Sequence, residues 1–438
     1  MSLEAWQIEL RRQYGRDQNF SLKNIGEEKI FSEFLVRNPD SGNTYRVAIR
    51  GTELGQNYCA CPDYATNHLG TCKHLEFTLA QLEKKRGGKK ALEEGFHPEY
   101  TEVFLQYGAE RRVIFRAGTE CPPELIELAK KYFDDKGVLQ PDSFGKFQTF
   151  LSKASQVDHD LRCYDDVLNF VAEVRDDEKR RKHLDDVFPV GAGSGHFKNL
   201  LRVPLYPYQR EGALFAARAG RCLIGDEMGL GKTIQALAAT EIMGQEFGVE
   251  QVLIVCPTSL KHQWKREIEK FTRRDATVVE GLRPQRMLAY QEDTFFKIVN
   301  YDIVYRDLDF IAKLSPDLVV LDEAQRIKNW DTRTAKSVKQ IDTPYAIVLT
   351  GTPLENRLEE LVSIVQFVDR HRLGPTYRFL HQHQEHDEET GRVIGYKNLN
   401  KVGETLKPLL IRRQKKDVLD QLPARLEKNL FVPMTEPQ

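Results

Sequence analysis

Residues 222–243 read CLIGDEMGLGKTIQALAATEIM, and this stretch decides the fold class. An apolar run at 222–225 predicts a buried strand, and a glycine-rich loop follows it. The residues after the loop predict a helix, because Leu237, Ala238 and Ile242 fall on one helical face. Strand, loop and helix in this order form the frame in which backbone N–H groups cradle a phosphate.

The loop carries the groups that bind a triphosphate. The candidate nucleotide-binding residues are Met228, Gly229, Leu230, Gly231, Lys232 and Thr233. Lys232 would reach the β- and γ-phosphates as a catalytic group, and the Thr233 hydroxyl would bind magnesium. Asp226 departs from the usual pattern, which has a glycine at that position. The alternative interpretation is a glycine-rich turn with an incidental Gly-Lys-Thr.

Two acidic residues follow a second apolar run, LVVL at 318–321. This run places Asp322 at the carboxyl end of a strand, where ligands bind in open α/β sheets. Asp322 would hold magnesium, directly or through water, and Glu323 would orient and activate the attacking water. The alternative is an acidic pair that caps the start of a helix.

A third apolar run at 346–349 ends in Thr350-Gly351-Thr352-Pro353. Such a loop can sense the γ-phosphate, and the alternative is an ordinary strand-to-turn transition. Further apolar runs at 251–257 and 296–301 are separated by amphipathic segments. Short, fully apolar runs that alternate with helical stretches favour buried parallel strands with crossover helices. The C-terminal half is therefore predicted to be an α/β domain.

A cluster of cysteines predicts a metal site near the N-terminus. Cys59 and Cys61 are followed, after ten intervening residues, by Cys72 and His74. Three thiolates and one imidazole make a tetrahedral zinc set, and four protein ligands favour a structural role over a catalytic one. The alternative is a group of three buried thiols beside a core histidine.

Composition excludes several classes of protein. The chain has 438 residues, with 64 Lys+Arg against 65 Asp+Glu and a formal net charge of −1. This balance excludes a uniformly basic surface, so any nucleic-acid contact must come from local patches. No apolar run approaches the roughly 18 residues that span a bilayer, and the N-terminus lacks a signal-peptide core. We expect a cytoplasmic protein without membrane contact, nucleoid-associated in a bacterium or nuclear in a eukaryote.

We predict three regions along the chain. Residues 1–90 form a small zinc-binding domain. Residues 91–195 form a mainly helical connector that ends in a glycine-rich linker, because charges of both signs are interleaved there and three glycines occur at its end. Residues 196–438 form the α/β domain with its parallel sheet and flanking helices.

The motifs together resemble the first RecA-like lobe of a superfamily-two, helicase-like motor, and more narrowly the Swi/Snf family of DNA-dependent ATPases. The matching segments are LYPYQREG (205–212), DEMGLGKTIQALA (226–238), CPTSL (256–260) with Gln263-Trp264, Asn300-Tyr301, DEAQRIKN (322–329), TGTPLENRLEEL (350–361) and LLIRRQKKDVLDQLP (409–423). They cover about half of the chain and occur in the family's order.

The resemblance implies an ATP-driven motor that moves along double-stranded DNA without separating its strands. Such a motor contacts backbone phosphates, which carry no sequence information. The resemblance assigns adenine recognition to Gln209 and adds Gln325 and Thr350 to the nucleotide-binding residues. Gln325 stands where the family usually has a histidine, so we expect altered coupling between nucleotide and DNA rather than lost binding.

The resemblance also places DNA contacts on basic and polar residues of this lobe. They map onto residues 257–259, the neighbourhood of Lys261 and Lys265, and Asn300-Tyr301. For the lysines, the alternative is an ordinary solvated helix face. A second basic cluster either touches phosphates or pairs with acids elsewhere in the lobe; its members are Arg412, Arg413, Lys415 and Lys416.

The family's motor needs a second lobe, whose arginines stabilise charge on the transferring phosphoryl group. We find no second-lobe arginine motif before Gln438. We therefore expect this chain, as a fragment or with a partner that supplies the rest, to bind ATP with little or no turnover. A monomer is expected.

The cysteine pattern C-x-C…C-x-H resembles the SWIM zinc finger, which occurs fused to Swi/Snf-type ATPases. Such modules bind DNA or protein, so a protein partner is a further expectation. One rival function is a zinc-finger adaptor with a regulatory ATP site that does not hydrolyse ATP. The other is a small-molecule P-loop kinase or NTPase. A kinase is not expected to combine Gln209 and Thr350-Gly351-Thr352-Pro353 with this phosphate loop.

Overall fold

The computed structural model describes residues 1–107, 110–351, 357–387 and 389–418. They form two compact units. One unit holds residues 1–182 and 370–402, and the other holds residues 183–369 with the described residues from 403 onward. The boundaries predicted at residues 90 and 195 stay predictions. Among the described residues, no helix is both long and apolar enough to cross a bilayer.

A four-stranded antiparallel sheet lies in the first unit, in the order β1-β2-β3-β4. Its strands are β1 (Ser21–Asn24), β2 (Glu33–Arg37), β3 (Thr44–Ala48) and β4 (Tyr58–Cys59). The helices of this part are α1 (Leu3–Arg16), α2 (Pro62–Asn67), α3 (Lys73–Glu83) and α4 (Gly88–Glu94). Phe34 and Val36 alternate along β2 and are buried in one core with Leu75 and Leu82 of α3. Period-two burial thus packs one face of the sheet on α3.

The next part of the chain is mainly helical, as predicted, but it also contains a three-stranded sheet that the sequence pattern did not predict. Its strands are β5 (Thr101–Gln106), β6 (Arg112–Arg116) and β7 (Leu161–Cys163). Its helices are α5 (Pro123–Ala129), α6 (Phe147–Ala154) and α7 (Asp165–Val187), with short 3-10 helices at Pro141–Lys146, Gly191–Gly193 and Gly195–Lys198. Charged residues interrupt the apolar pattern that would have predicted β5 and β6. Glu102 of β5 is fully buried and pairs across the sheet with Arg116 of β6.

The second unit is built on parallel strands separated by helices. Its strands are β8 (Arg221–Ile224), β9 (Val252–Cys256), β10 (Ala276–Val278), β11 (Phe296–Asn300), β12 (Leu318–Leu321) and β13 (Tyr345–Leu349). Its helices are α8 (Pro207–Ala219), α9 (Lys232–Phe247), α10 (Lys261–Phe271), α11 (Arg283–Gln291), α12 (Tyr301–Val304), α13 (Leu308–Leu314), α14 (Arg333–Val338) and α15 (Leu358–Val368).

The remaining elements follow α15 in the chain and are divided between the two units at residues 402 and 403. They are α16 (Thr376–His383), β14 (Gln384–His386), β15 (Val393–Tyr396), α17 (Leu399–Leu406) and β16 (Leu410–Ile411). β14 and β15 form an antiparallel pair in the first unit. β16 joins the second unit's sheet, which has seven parallel strands in the order β10-β11-β9-β12-β13-β8-β16.

The parallel sheet is buried on both faces, as its uninterrupted apolar strands require. In β9, Val252 and Ile254 belong to a core packed under α8, α9 and α10, whereas Leu253 and Val255 belong to a core on the opposite face. The other central strands alternate in the same way. The predicted α/β class, a RecA-like parallel sheet with flanking helices, is confirmed.

The strand order brings the sequence motifs to one place. β12, β13 and β8 are neighbours in the sheet, although they are far apart in the chain. Because parallel strands end at the same edge, the loop after β8, the acids after β12 and Thr350 after β13 share that edge.

Candidate functional site

The phosphate loop connects β8, which ends at Ile224, to α9, which begins at Lys232. Gly229 and Gly231 have φ angles of 88° and 73°, in the left-handed region that favours glycine. A Cβ atom at Gly231 would lie 2.7 Å from the Nε2 atom of Gln209. The loop therefore needs glycine for its backbone and for its close approach to α8.

Lys232 extends from the first turn of α9 toward the phosphate loop and the end of β13. Its Nζ atom donates to the backbone oxygen of Asp226 at 2.9 Å, and a Cβ atom on Gly351 would lie 3.7 Å from Nζ. Burial lowers the pKa of Lys232, and attraction to Glu323, Asp226 and Asp322 opposes this shift. The structure thus brings the predicted phosphate-binding lysine close to the predicted acids.

Asp322 is held in place by hydrogen bonds to both carboxylate oxygens. The indole N–H of Trp264 donates to Oδ2 at 2.8 Å, and the backbone N–H of Glu323 donates to Oδ1 at 2.9 Å. Burial raises the pKa of Asp322, and the hydrogen bond from Trp264 only partly opposes this rise. Sequence reasoning gave Trp264 no role, because the bond joins residues 58 positions apart.

Glu323 starts a polar relay between two strand ends. Its backbone is in the left-handed region with φ of 49°, a strained conformation for a residue with a side chain. Its carboxylate accepts a hydrogen bond from Gln325 Nε2 at 2.7 Å, and Gln325 Oε1 accepts one from the Thr350 hydroxyl at 3.4 Å. The relay joins the end of β12 to the end of β13.

The other predicted nucleotide-binding residues surround the loop. Gln209 is buried on α8, where its Oε1 atom accepts from the backbone N–H of Tyr206 at 3.1 Å. Met228 is exposed at the loop tip, Leu230 is buried and packs against Tyr208, and Thr233 is half-buried in the first turn of α9. Residues 352–356, which include Thr352 and Pro353, and residues 419–423 of the predicted motifs lie outside the described residues.

Asp226, the departure from the usual loop pattern, has a defined partner. It is fully buried, and its carboxylate accepts from Arg413 Nη2 at 2.6 Å and Nε at 3.1 Å. Gln235 of α9 also donates to it at 2.9 Å, and Arg413 donates to the Gln235 oxygen at 2.7 Å. The basic cluster was predicted either to contact phosphates or to pair with acids of the lobe. Arg413 pairs with an acid of the lobe, Asp226.

The predicted DNA-facing residues divide into two groups. Lys261 is buried, and its Nζ atom pairs with the Glu280 carboxylate at 2.8 Å. It is therefore neither a solvated surface lysine nor a lysine whose charge is free to contact a phosphate. Asn300 donates to the Thr258 hydroxyl at 3.0 Å, and the Tyr301 hydroxyl donates to the backbone oxygen of Asp322 at 2.8 Å. This second group is therefore linked to the acid that is predicted to bind magnesium.

In the first unit, the four predicted metal ligands meet. One ligand atom from each of Cys59, Cys61, Cys72 and His74 lies within 4.8 Å of the others, and all four residues are buried. The His74 Nδ1 atom is 3.8 Å from Cys59 Sγ and 4.0 Å from Cys72 Sγ. Ligand atoms about 2.0–2.3 Å from a shared tetrahedral zinc ion would be separated by about 3.5–3.8 Å. The donor set and its spacing therefore fit zinc.

Local structure explains how the four ligands converge. β4 ends at Cys59, Cys61 is the N-cap of α2, and Cys72 is the N-cap of α3. His74 lies in the first turn of α3. Its ring packs against those of Phe20 and Tyr45, with centroid separations of 5.2 and 4.8 Å. Hydrogen bonds with Cys59 and Cys72 lower the pKa of the Cys61 thiol, whereas burial raises the pKa of the other two thiols.

A model of the SNF2-related domain matches residues 208–438, which is more than half of the chain. YwqA of Bacillus subtilis, named as an ATP-dependent helicase/translocase, is 33% identical over 259 residues, covering 56% of this chain and 27% of that protein. Human chromodomain-helicase-DNA-binding protein 1 is 32% identical over 247 residues, covering 53% and 14% respectively.

A solved structure is also similar, namely the Sulfolobus solfataricus SWI2/SNF2 ATPase core in complex with double-stranded DNA. It is 29% identical with a TM-score of 0.45, covering 51% of this chain and 47% of that one. The chain spans less than a third of the length of the two curated relatives.

Proposed function

This chain belongs to the SNF2-related family, and from that premise we propose that it carries the ATP-binding lobe of a motor that moves along double-stranded DNA. ATP and magnesium are the proposed ligands of the edge formed by β8, β12 and β13. The proposed residue roles are those assigned from the sequence: Lys232 and the loop bind phosphates, Asp322 and Thr233 bind magnesium, and Glu323 activates water.

One observation carries this proposal. Lys232, Asp322 and Glu323 come from elements about 90 residues apart in the chain, yet the acids are close enough to attract the lysine. A half-buried ammonium beside a loop of backbone N–H groups suits a triphosphate, and the buried Asp322 and half-buried Glu323 carboxylates suit its metal ion. When bound, magnesium would stabilise charge that develops on the transferred phosphoryl group.

The coupling of ATP to DNA is proposed to pass through the Asp322 backbone. Asn300 and Thr258 are bonded to each other, and the next residue, Tyr301, is bonded to Asp322. A DNA backbone that displaced Thr258, Asn300 and Tyr301 would act directly on the end of β12, which holds both acids. The names of YwqA and human chromodomain-helicase-DNA-binding protein 1, which refer to translocation and DNA binding, support DNA as the substrate.

For the first unit we propose a structural zinc ion held by Cys59, Cys61, Cys72 and His74, in a module of the SWIM type. The ligand spacing and the burial of all four residues support this proposal. The expected contact of this module with DNA or with a protein stays a prediction. The cellular compartment and the low turnover expected of this chain alone also stay predictions.

ATP hydrolysis in a protein that carries both motor lobes tests the motor function. Duplex DNA should stimulate hydrolysis. Glu323→Gln should keep ATP affinity and abolish turnover, and the exposed acid Glu250 provides the matched control as Glu250→Gln. ATP binding without any DNA-stimulated hydrolysis in the unmodified two-lobed protein would favour the rival function, an adaptor with a regulatory ATP site.

A further inference from the structure

The segment after α17 follows β8 into the phosphate loop. The backbone N–H groups of Leu223, Gly225 and Glu227 donate to the carbonyl oxygens of residues 409, 411 and 413 at 2.7, 2.8 and 3.0 Å. The pairing therefore continues past the end of β8 along the first residues of the loop. The buried ion pair between Arg413 and Asp226 fixes this segment against the loop.

The next residue in this alternation is Lys415, which lies against the tip of the loop. Its backbone N–H donates to the Glu227 carboxylate at 2.7 Å. A Cβ atom built on Gly229 would lie 3.4 Å from Lys415 Cε and 3.5 Å from its Nζ atom. The ammonium group is thus placed beside the glycine at the centre of the predicted phosphate cradle.

The charge of Lys415 is not neutralised by an ion pair within the part of the chain that the structure describes. Arg413, two residues earlier, pairs with Asp226, and the Glu227 carboxylate is engaged with the Lys415 backbone. The loop tip at 227–229 is exposed, so a ligand can reach it. A cation beside exposed glycine N–H groups creates a second positive site at the loop, besides Lys232.

We propose that Lys415 is a second cationic ligand for the phosphate groups of a nucleoside triphosphate, acting from the segment after β16 while Lys232 acts from α9. The inference rests on the proposed ATP site. It assigns Lys415 to the nucleotide and not to the DNA backbone, and it makes the Asp226–Arg413 pair the anchor that positions this lysine.

The test is equilibrium binding of a fluorescent ATP analogue and its competition by inorganic tripolyphosphate, on the full chain. Lys415→Met keeps the length of the side chain and removes its charge, so it should weaken both ligands about tenfold, whereas Lys415→Arg should retain most of the affinity. The loss should shrink as salt is raised, because the contact is partly solvent-exposed. Lys407→Met, at an exposed lysine outside the basic cluster, is the matched control and should bind as the wild type does.

The reference variant Lys232→Ala separates the two levels of the argument. If Lys232→Ala abolishes binding while Lys415→Met binds both ligands normally, the role of Lys415 is wrong and the ATP site stands. If Lys415→Met weakens ATP but not tripolyphosphate, the phosphate contact is wrong. A wild-type chain that binds neither ligand would overturn the ATP site together with this inference.

Discussion

The cysteine cluster and the phosphate loop are two ligand sites built in opposite ways. The cluster takes all four ligands from residues 59–74, and every one of them is buried. The loop site takes its groups from the ends of β8, β12 and β13, and Met228 at its tip is 67% exposed. A closed set of protein ligands suits an ion that stays bound, whereas an open strand edge suits a ligand that enters, reacts and leaves.

The comparison predicts that metal loss should disrupt the first unit and leave the second intact. Cys72→Ser should reduce zinc from about one ion per chain to almost none, because a structural site needs its full ligand set. The first unit should lose its cooperative unfolding transition. Elemental analysis and differential scanning calorimetry measure these effects, and ATP affinity should be unchanged.

Cys121→Ser is the control for this prediction, because Cys121 is partly exposed and lies outside the cluster. It should leave both zinc content and unfolding as they are. A wild-type chain without stoichiometric zinc would show that the cluster is a packed group of thiols, and full zinc occupancy in Cys72→Ser would show that Cys72 is not a ligand.

Arg413→Ala should destabilise the second unit by about 3–5 kcal/mol, because it leaves the buried Asp226 carboxylate without its cation. Chemical denaturation measures the free energy of unfolding of each unit. Arg412→Ala, at the exposed neighbour, should change it by less than about 0.5 kcal/mol.

A double-mutant cycle sharpens this prediction. Asp226→Asn combined with Arg413→Ala should cost less than the sum of the single changes, since the two side chains interact directly. Additive costs would mean that the pair does not anchor the segment to the loop.

Trp264→Phe should weaken magnesium-dependent ATP binding about tenfold, because Asp322 loses the hydrogen bond that orients its carboxylate. The measurement is ATP affinity with and without magnesium. Trp330→Phe, at a tryptophan that is 60% exposed, is the control. A loss of stability with an unchanged magnesium dependence would make Trp264 a packing residue only.

The smallest effect is expected for the Lys261–Glu280 pair. Glu280→Gln should cost at most about 1 kcal/mol, because Glu280 is largely exposed and water screens the pair. The hydrogen bond from Lys261 lowers the pKa of Glu280. The pair therefore stabilises the folded state at neutral pH, and this contribution is lost as the pH falls through the lowered pKa.

The measurement is the difference in unfolding free energy between wild type and Glu280→Gln at neutral and acidic pH. The difference should disappear at acidic pH. A difference that is the same at both pH values would show that the effect does not come from the charge.

Local patterns were enough to predict much of both sites. Four cysteine and histidine ligands at close spacing, and a glycine-rich loop between an apolar run and an amphipathic helix, are signals contained within about 20 residues. The prediction was incomplete where partners are distant. Trp264 and Arg413 were part of recognised segments, but their bonds to Asp322 and Asp226 span 58 and 187 positions. The strands β5 and β6 were missed because each contributes a charged residue to an ion pair, Glu102 with Arg116.

The sequence by itself determined the alternating strands and helices of the second unit and the side chains that carry the chemistry, because burial periodicity and glycine geometry are local properties of the chain. Tertiary structure alone decided the order β9-β12-β13-β8, which places Lys232 beside Asp322 and Glu323. It also decided that Arg413 is neutralised while Lys415 is left beside the loop. The physical reason is that strand order and ion pairing depend on distances in space, which sequence separation does not encode.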